Sequence, residues 1–80
     1  MGTKLTLYTR SYCSLCDEMH RALLPYRQRY GFELELVDVD SDPRLEERFD
    51  EKVPVLMAGE MEICHYHLDV AALREHFGQP

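Results

Sequence analysis

Leu5 and Leu7 alternate with Thr6 and Tyr8 in "KLTLYT", the two-residue period of a β-strand with one buried face. From Leu15 onward the spacing changes. Leu15, Met19, Ala22, Leu23, Tyr26 and Tyr30 recur at helical intervals and Gly31 supplies a stop, which predicts a helix beginning at or just after Cys13. Pro25 lies inside that pattern, removes a backbone donor and crowds the preceding turn, so a kink or near-break is expected there. "FELELVDVD" reads as a second strand, and a strand, helix, strand order implies a parallel pair. In "SDPRLEERF" a cap at Ser41 or Asp42, Pro43 in the first turn and Leu45 with Phe49 on one face predict a short helix. "PVLM" and "MEIC", joined through Gly59, form a hairpin pattern. "LDVAALREHFG" ends the chain as a third helix, with Asp69 as N-cap, Leu68 and Leu73 as a hydrophobic staple and Gly78 as stop. The expected fold class is α/β: a four-stranded mixed sheet in the order β-α-β-α-β-β-α, built as one domain over residues 1–80.

Eighty residues lie near the lower limit for a self-sufficient apolar core, and 45% apolar residues assign the chain to the globular class in spite of 30% charged residues. A formal charge of −6 with scattered basic residues argues against a nucleic-acid partner. No apolar run approaches the about 20 residues of a membrane span, and there is no signal-peptide core, so a cytoplasmic protein without a membrane partner is expected. "MGTKLT" fits the myristoylation pattern through Gly2 and Thr6, but Leu5 belongs to the strand alternation and the match is read as chance.

The chemistry lies in "YTRSYCSLCDEMH". Cys13 and Cys16 stand three apart where the strand period gives way to the helical one, and Cys64 is the remaining cysteine. A close pair in a reducing compartment points to redox catalysis or metal binding, and not to a secreted disulfide framework. The first turn of a helix offers unpaired amides and a positive dipole end, both favouring a thiolate at Cys13. Thiolate is the species that attacks a disulfide. Cys16, one turn on, is within disulfide reach and is expected to be the less exposed, resolving thiol. Arg10 offers a nearby positive charge.

"YTRSYCSLC" resembles the active-site segment of glutaredoxins within the thioredoxin superfamily, and the resemblance extends over essentially the whole chain through the element order and "VPV" at Val53, Pro54 and Val55. It implies a thiol-disulfide oxidoreductase with a cis peptide between Val53 and Pro54 facing the cysteines, and a Val53 backbone that pairs with an extended substrate or glutathione. It also implies substrate-binding positions at Arg10 and Tyr12. The match is incomplete at two places. Ser14 and Leu15 stand where glutaredoxins usually have Pro-Tyr, and "ICHYHLD" replaces their Gly-Gly pair and following acid, with Cys64 and His65 near the glycine positions. Side chains there obstruct a tripeptide. The chain therefore resembles small glutaredoxin-like proteins lacking the glutathione motif: no cofactor is expected, and a monomer acting on protein or small-molecule disulfides is.

Other readings stay beside this one: a non-catalytic peptide-binding module, or a metal or iron-sulfur carrier using the pair with His65 or His67. Cys64 is read as a small buried hydrophobe, His20 and His76 as solvent-facing or capping groups, and Asp38, Asp40 and Asp42 as loop and cap residues. Tyr8, Tyr12 and Tyr66 are candidates either for a substrate groove or for core and rim packing.

Overall fold

The structure is a computed structural model that describes residues 3–78; Gly2, on which the myristoylation pattern rests, lies outside them. β1 (Thr3–Thr9) is followed by α1 (Ser14–Tyr30), β2 (Phe32–Asp38), a 3-10 turn (Val39–Ser41), α2 (Pro43–Phe49), β3 (Val55–Ala58), β4 (Met61–His65) and α3 (Val70–His76). The sheet order is β2-β1-β3-β4, with β1 parallel to β2 and the pairs β1/β3 and β3/β4 antiparallel.

The alternation in β1 divides the core between two faces. Leu5 and Leu7 join Met19 and Leu23 of α1, Phe32, Leu56, Cys64 and Leu73 of α3 in one buried cluster. Tyr8 points the other way, packing with Val39, Phe49 of α2, Val53, Val55 and Met57 in a second cluster that also includes Cys16. The sheet is thus covered by α1 and α3 on one side and by α2 on the other. Every residue of β3 from Val55 to Met57 is buried because this strand is sandwiched between the two clusters.

Local chemistry sets the boundaries. Asp42 caps α2 by accepting the Arg44 amide at 2.9 Å, and Asp69 caps α3 by accepting the Ala72 amide at 3.1 Å. Leu68 and Leu73 pack in the same cluster, as the staple requires. Gly31 ends α1 at φ 70°, where its N–H reaches the Arg27 carbonyl at 2.9 Å. The C-terminal turn of α3 is held to the end of α1 by aromatic stacking, Tyr30 on Phe77 at 4.8 Å and Phe32 on Phe77 at 5.5 Å.

Three expectations are corrected. α1 continues through Pro25 without the near-break expected there; Pro25 is exposed, so the missing donor and the ring fall on the solvent side. The second strand ends at Asp38: Asp38 accepts the Asp40 amide at 2.9 Å and Ser41 Oγ donates to the Asp38 carbonyl at 2.6 Å, folding Val39–Ser41 into a turn that buries Val39. Ala22 is exposed rather than part of the buried stripe, which consists of Cys16, Met19 and Leu23.

Leu56→Ala, in the strand buried on both faces, should destabilise the fold by about 2–5 kcal/mol in urea denaturation. Asp69→Ala should cost about 1 kcal/mol through loss of the α3 cap.

Candidate functional site

Cys13 is the N-cap of α1. Its backbone is extended (φ −112°, ψ 104°), its carbonyl accepts the Asp17 amide at 3.2 Å, and its Sγ accepts the Cys16 amide at 3.1 Å. A sulfur thus occupies the place where Ser, Thr, Asp or Asn usually holds the third helical amide. Cys16 lies one turn inside the helix. The two sulfurs are joined as a disulfide with a Cα–Cα distance of 5.2 Å, and Cys13 is half-buried while Cys16 is only 2% exposed. The outer cysteine is the one a partner can reach.

The sheet brings a distant segment beside this pair. Val53 packs in the cluster that contains Cys16 and against which Cys13 rests. The Val53–Pro54 peptide is cis and Pro54 is fully buried. The Pro54 carbonyl accepts the Tyr66 amide at 2.8 Å, whereas no turn, cap or loop hydrogen bond takes up the Val53 N–H or C=O among the described residues. An unpaired backbone edge therefore stands next to the disulfide.

Arg10 is turned toward Asp40, with Nε 3.2 Å from Oδ1, so its charge is shared with a carboxylate from the turn after β2. The contact is an ion pair without hydrogen-bond alignment. Asp40 as its partner was not visible in the sequence, because the two residues meet only when β1 and β2 pair in parallel. Tyr12, just before Cys13, is 107% exposed and left-handed at φ 58°. Tyr8 is not in a groove: its ring stacks on Phe49 at 4.4 Å.

Cys64 is free, 8% exposed, and in the cluster on the other face of the sheet from Cys16, so it does not join the pair. Burial pushes its thiol pKa up, with an Asp69 backbone hydrogen bond acting in the opposite sense. His65 is committed to Glu62, with Nδ1 2.9 Å from Oε2, and Glu62 also pairs with Lys52. The left-handed Tyr66 (φ 65°) separates His65 from His67 and breaks the strand alternation that would point both one way. Among the described residues no three His, Cys, Asp or Glu side chains converge as a metal-ligand group.

A mixed four-stranded sheet with helices on both faces and a cysteine pair capping the first helix defines a protein of thioredoxin-like fold. Within that class the chain belongs to the glutaredoxin-like domain family (DUF836), whose model matches residues 4–78. It is similar to the solution NMR structure of protein Ne2328 from Nitrosomonas europaea, at 36% identity over 91% of this chain and 88% of that one, with a TM-score of 0.84. The X-ray structure of target protein XcR50 from X. campestris matches at 34% identity over 92% and 95%, with a TM-score of 0.71. The glutaredoxin-like protein NrdH-redoxin from Escherichia coli, described for its thioredoxin-like activity profile, matches at 28% identity over 89% and 92%, TM-score 0.61. No curated protein matches the sequence. No helix among the described residues is long and apolar enough to cross a membrane.

Lys52, donating to Glu62, together with His65 holds the Glu62 carboxyl below its ordinary pKa. A depressed carboxyl stabilises the fold above its unfolded pKa of about 4.3, and that contribution disappears as pH falls through the lower folded value. Glu62→Gln should therefore lower stability at neutral pH and flatten the acid limb of a melting-temperature profile taken below about pH 4.5.

Proposed function

We propose that the chain is a thiol-disulfide oxidoreductase, with Cys13 as nucleophile and Cys16 as resolving thiol, acting on disulfides carried by polypeptides. The observation that carries this reading is the Cys16 amide aimed at the Cys13 sulfur at 3.1 Å. In the reduced protein the same amide and the helix dipole favour the thiolate over the thiol.

The reduced Cys13 thiolate attacks one sulfur of the substrate disulfide. A Cys13–substrate bond forms, the substrate S–S bond breaks, and the departing sulfur leaves as a thiolate that takes a proton from solvent. Cys16 then loses its proton and attacks the Cys13 sulfur, releasing the second substrate thiol. Two electrons pass to the substrate and the protein ends in the Cys13–Cys16 disulfide, the state seen here. An external thiol donor of two electrons restores the dithiol.

The free N–H and C=O of Val53 suit an extended chain that adds a short β-pairing beside the reacting sulfur. That favours peptide-borne disulfides. Arg10, shared with Asp40, and the exposed Tyr12 are the remaining substrate-facing positions. Glutathione is the poorer ligand in this reading, because His65 and Tyr66 put exposed side chains at the end of β4 where the approach of a tripeptide needs bare backbone, while Cys64 is turned into the core. The reaction needs no metal or resident cofactor, and the protein is proposed to work as a cytoplasmic monomer. One domain over residues 1–80 is part of the same proposal.

The test is trapping. Cys16→Ser should accumulate a mixed disulfide with a disulfide-bonded peptide, visible as a mass adduct on Cys13, while Cys13→Ser should form none and lose turnover by at least about 10³-fold. Adducts in neither variant, with a wild type that reduces no disulfide, would leave the peptide-binding module as the better reading. In the same reduced protein Cys64 should alkylate far more slowly than Cys13, since it is buried and its thiol is held neutral.

A further inference from the structure

The cross-strand register aligns the ends of three strands. Tyr8 of β1 lies opposite Val55 of β3, and Val55 lies opposite His65 of β4, so the segments following β1, preceding β3 and following β4 emerge at one end of the sheet in that order. The first of these segments carries Tyr12 and Cys13, the second Val53 and Pro54, the third Tyr66. Val53, with its free backbone, therefore occupies the middle of a site whose outer borders are set by the two segments bearing tyrosines. Each border lies one strand spacing, roughly 5 Å, from the Val53 segment, so a peptide that pairs with the Val53 backbone meets a tyrosine-bearing segment on either side.

Both tyrosines have left-handed backbone, Tyr12 at φ 58° and Tyr66 at φ 65°, a conformation that residues other than glycine rarely adopt. Both keep a solvent-facing ring surface, Tyr12 at 107% exposure and Tyr66 at 41%. Tyr66 is nevertheless fixed. Its amide is tied to the Pro54 carbonyl at 2.8 Å, its ring meets His65 edge-on at 4.8 Å, and His65 is held by Glu62, which is itself paired with Lys52. A solvent-facing aromatic ring backed by such a chain of contacts is preorganised for a ligand.

Resting on the oxidoreductase reading above, we propose that Tyr66 is a specificity-determining residue that selects polypeptide disulfides with an aromatic or large apolar side chain next to the reacting cysteine. Tyr12 forms the opposite border of the same site. The occupant is a peptide because the group between the two borders is an unpaired amide edge, and its flanking side chain is apolar because the ring offered to it is aromatic, part-exposed beside its T-shaped contact with His65, and has no Lys or Arg seated over it among the described residues.

The experiment uses two disulfide-bonded synthetic peptides that differ only in having phenylalanine or serine beside the cysteine. In the wild type kcat/KM should favour the phenylalanine peptide by about tenfold, through KM more than kcat. Tyr66→Gly removes the ring while suiting the left-handed backbone, so the fold is kept, and the preference should fall to near one. Tyr66→Phe should retain it. A wild-type preference near one, or a preference that survives in Tyr66→Gly, overturns the assignment of Tyr66 while the oxidoreductase reading stands, provided bis(2-hydroxyethyl) disulfide is still reduced. Failure of the wild type to reduce the peptides and this small disulfide alike overturns both.

Discussion

A single contact organises the site: the amide of Cys16 donating to the sulfur of Cys13 across the first turn of α1. The other charges near it contribute little that is favourable. Arg10 is compensated by Asp40, Asp17 adds a negative charge to the same helical turn, and the whole chain carries −6. Stabilisation of a thiolate at this position consequently falls on the helix end itself, on oriented N–H groups and the aligned peptide dipoles. Replacing the capping atom or shifting the helix start by one residue would remove the effect, because it decays within the first turn.

The fold serves that contact by fixing what surrounds it. β1 delivers the chain to the helix start. Cys16 is anchored in the cluster beneath α2 while the rest of α1 packs with α3 on the opposite face. This asymmetry makes one cysteine accessible and the other sheltered, which is what an attacking and a resolving sulfur require. The pairing of β1 with β3 then carries Val53 and Pro54 to the same sheet end, and the pairing of β3 with β4 brings Tyr66 there. Residues separated by about half the chain converge because three neighbouring strands end in one row.

Much of this was legible in the sequence. The change from a two-residue period to helical spacing at Cys13 located the pair at a helix start, and the caps at Asp42 and Asp69 and the stop at Gly31 appear where residue chemistry dictates. Val39 escaped because its strand-like pattern is overridden by the side chain of Asp38, which closes a turn. Tyr8 read equally well as groove or core, and its partner Phe49 is supplied by an element far along the chain. The pairing of Arg10 with Asp40 and the chain from Lys52 through Glu62 to His65 depend on strand register, which no local pattern encodes. The left-handed backbone of Tyr12 and Tyr66 was likewise hidden, since tyrosine gives no signal for it.

The most direct measurement is the pKa of the Cys13 thiol in the reduced protein, followed by the ultraviolet absorbance of the thiolate against pH with Cys16→Ser used to isolate the signal. A value at least about one unit below the ordinary thiol value of roughly 8.5 agrees with a sulfur stabilised by the helix end. A value at or above that of a free cysteine contradicts it.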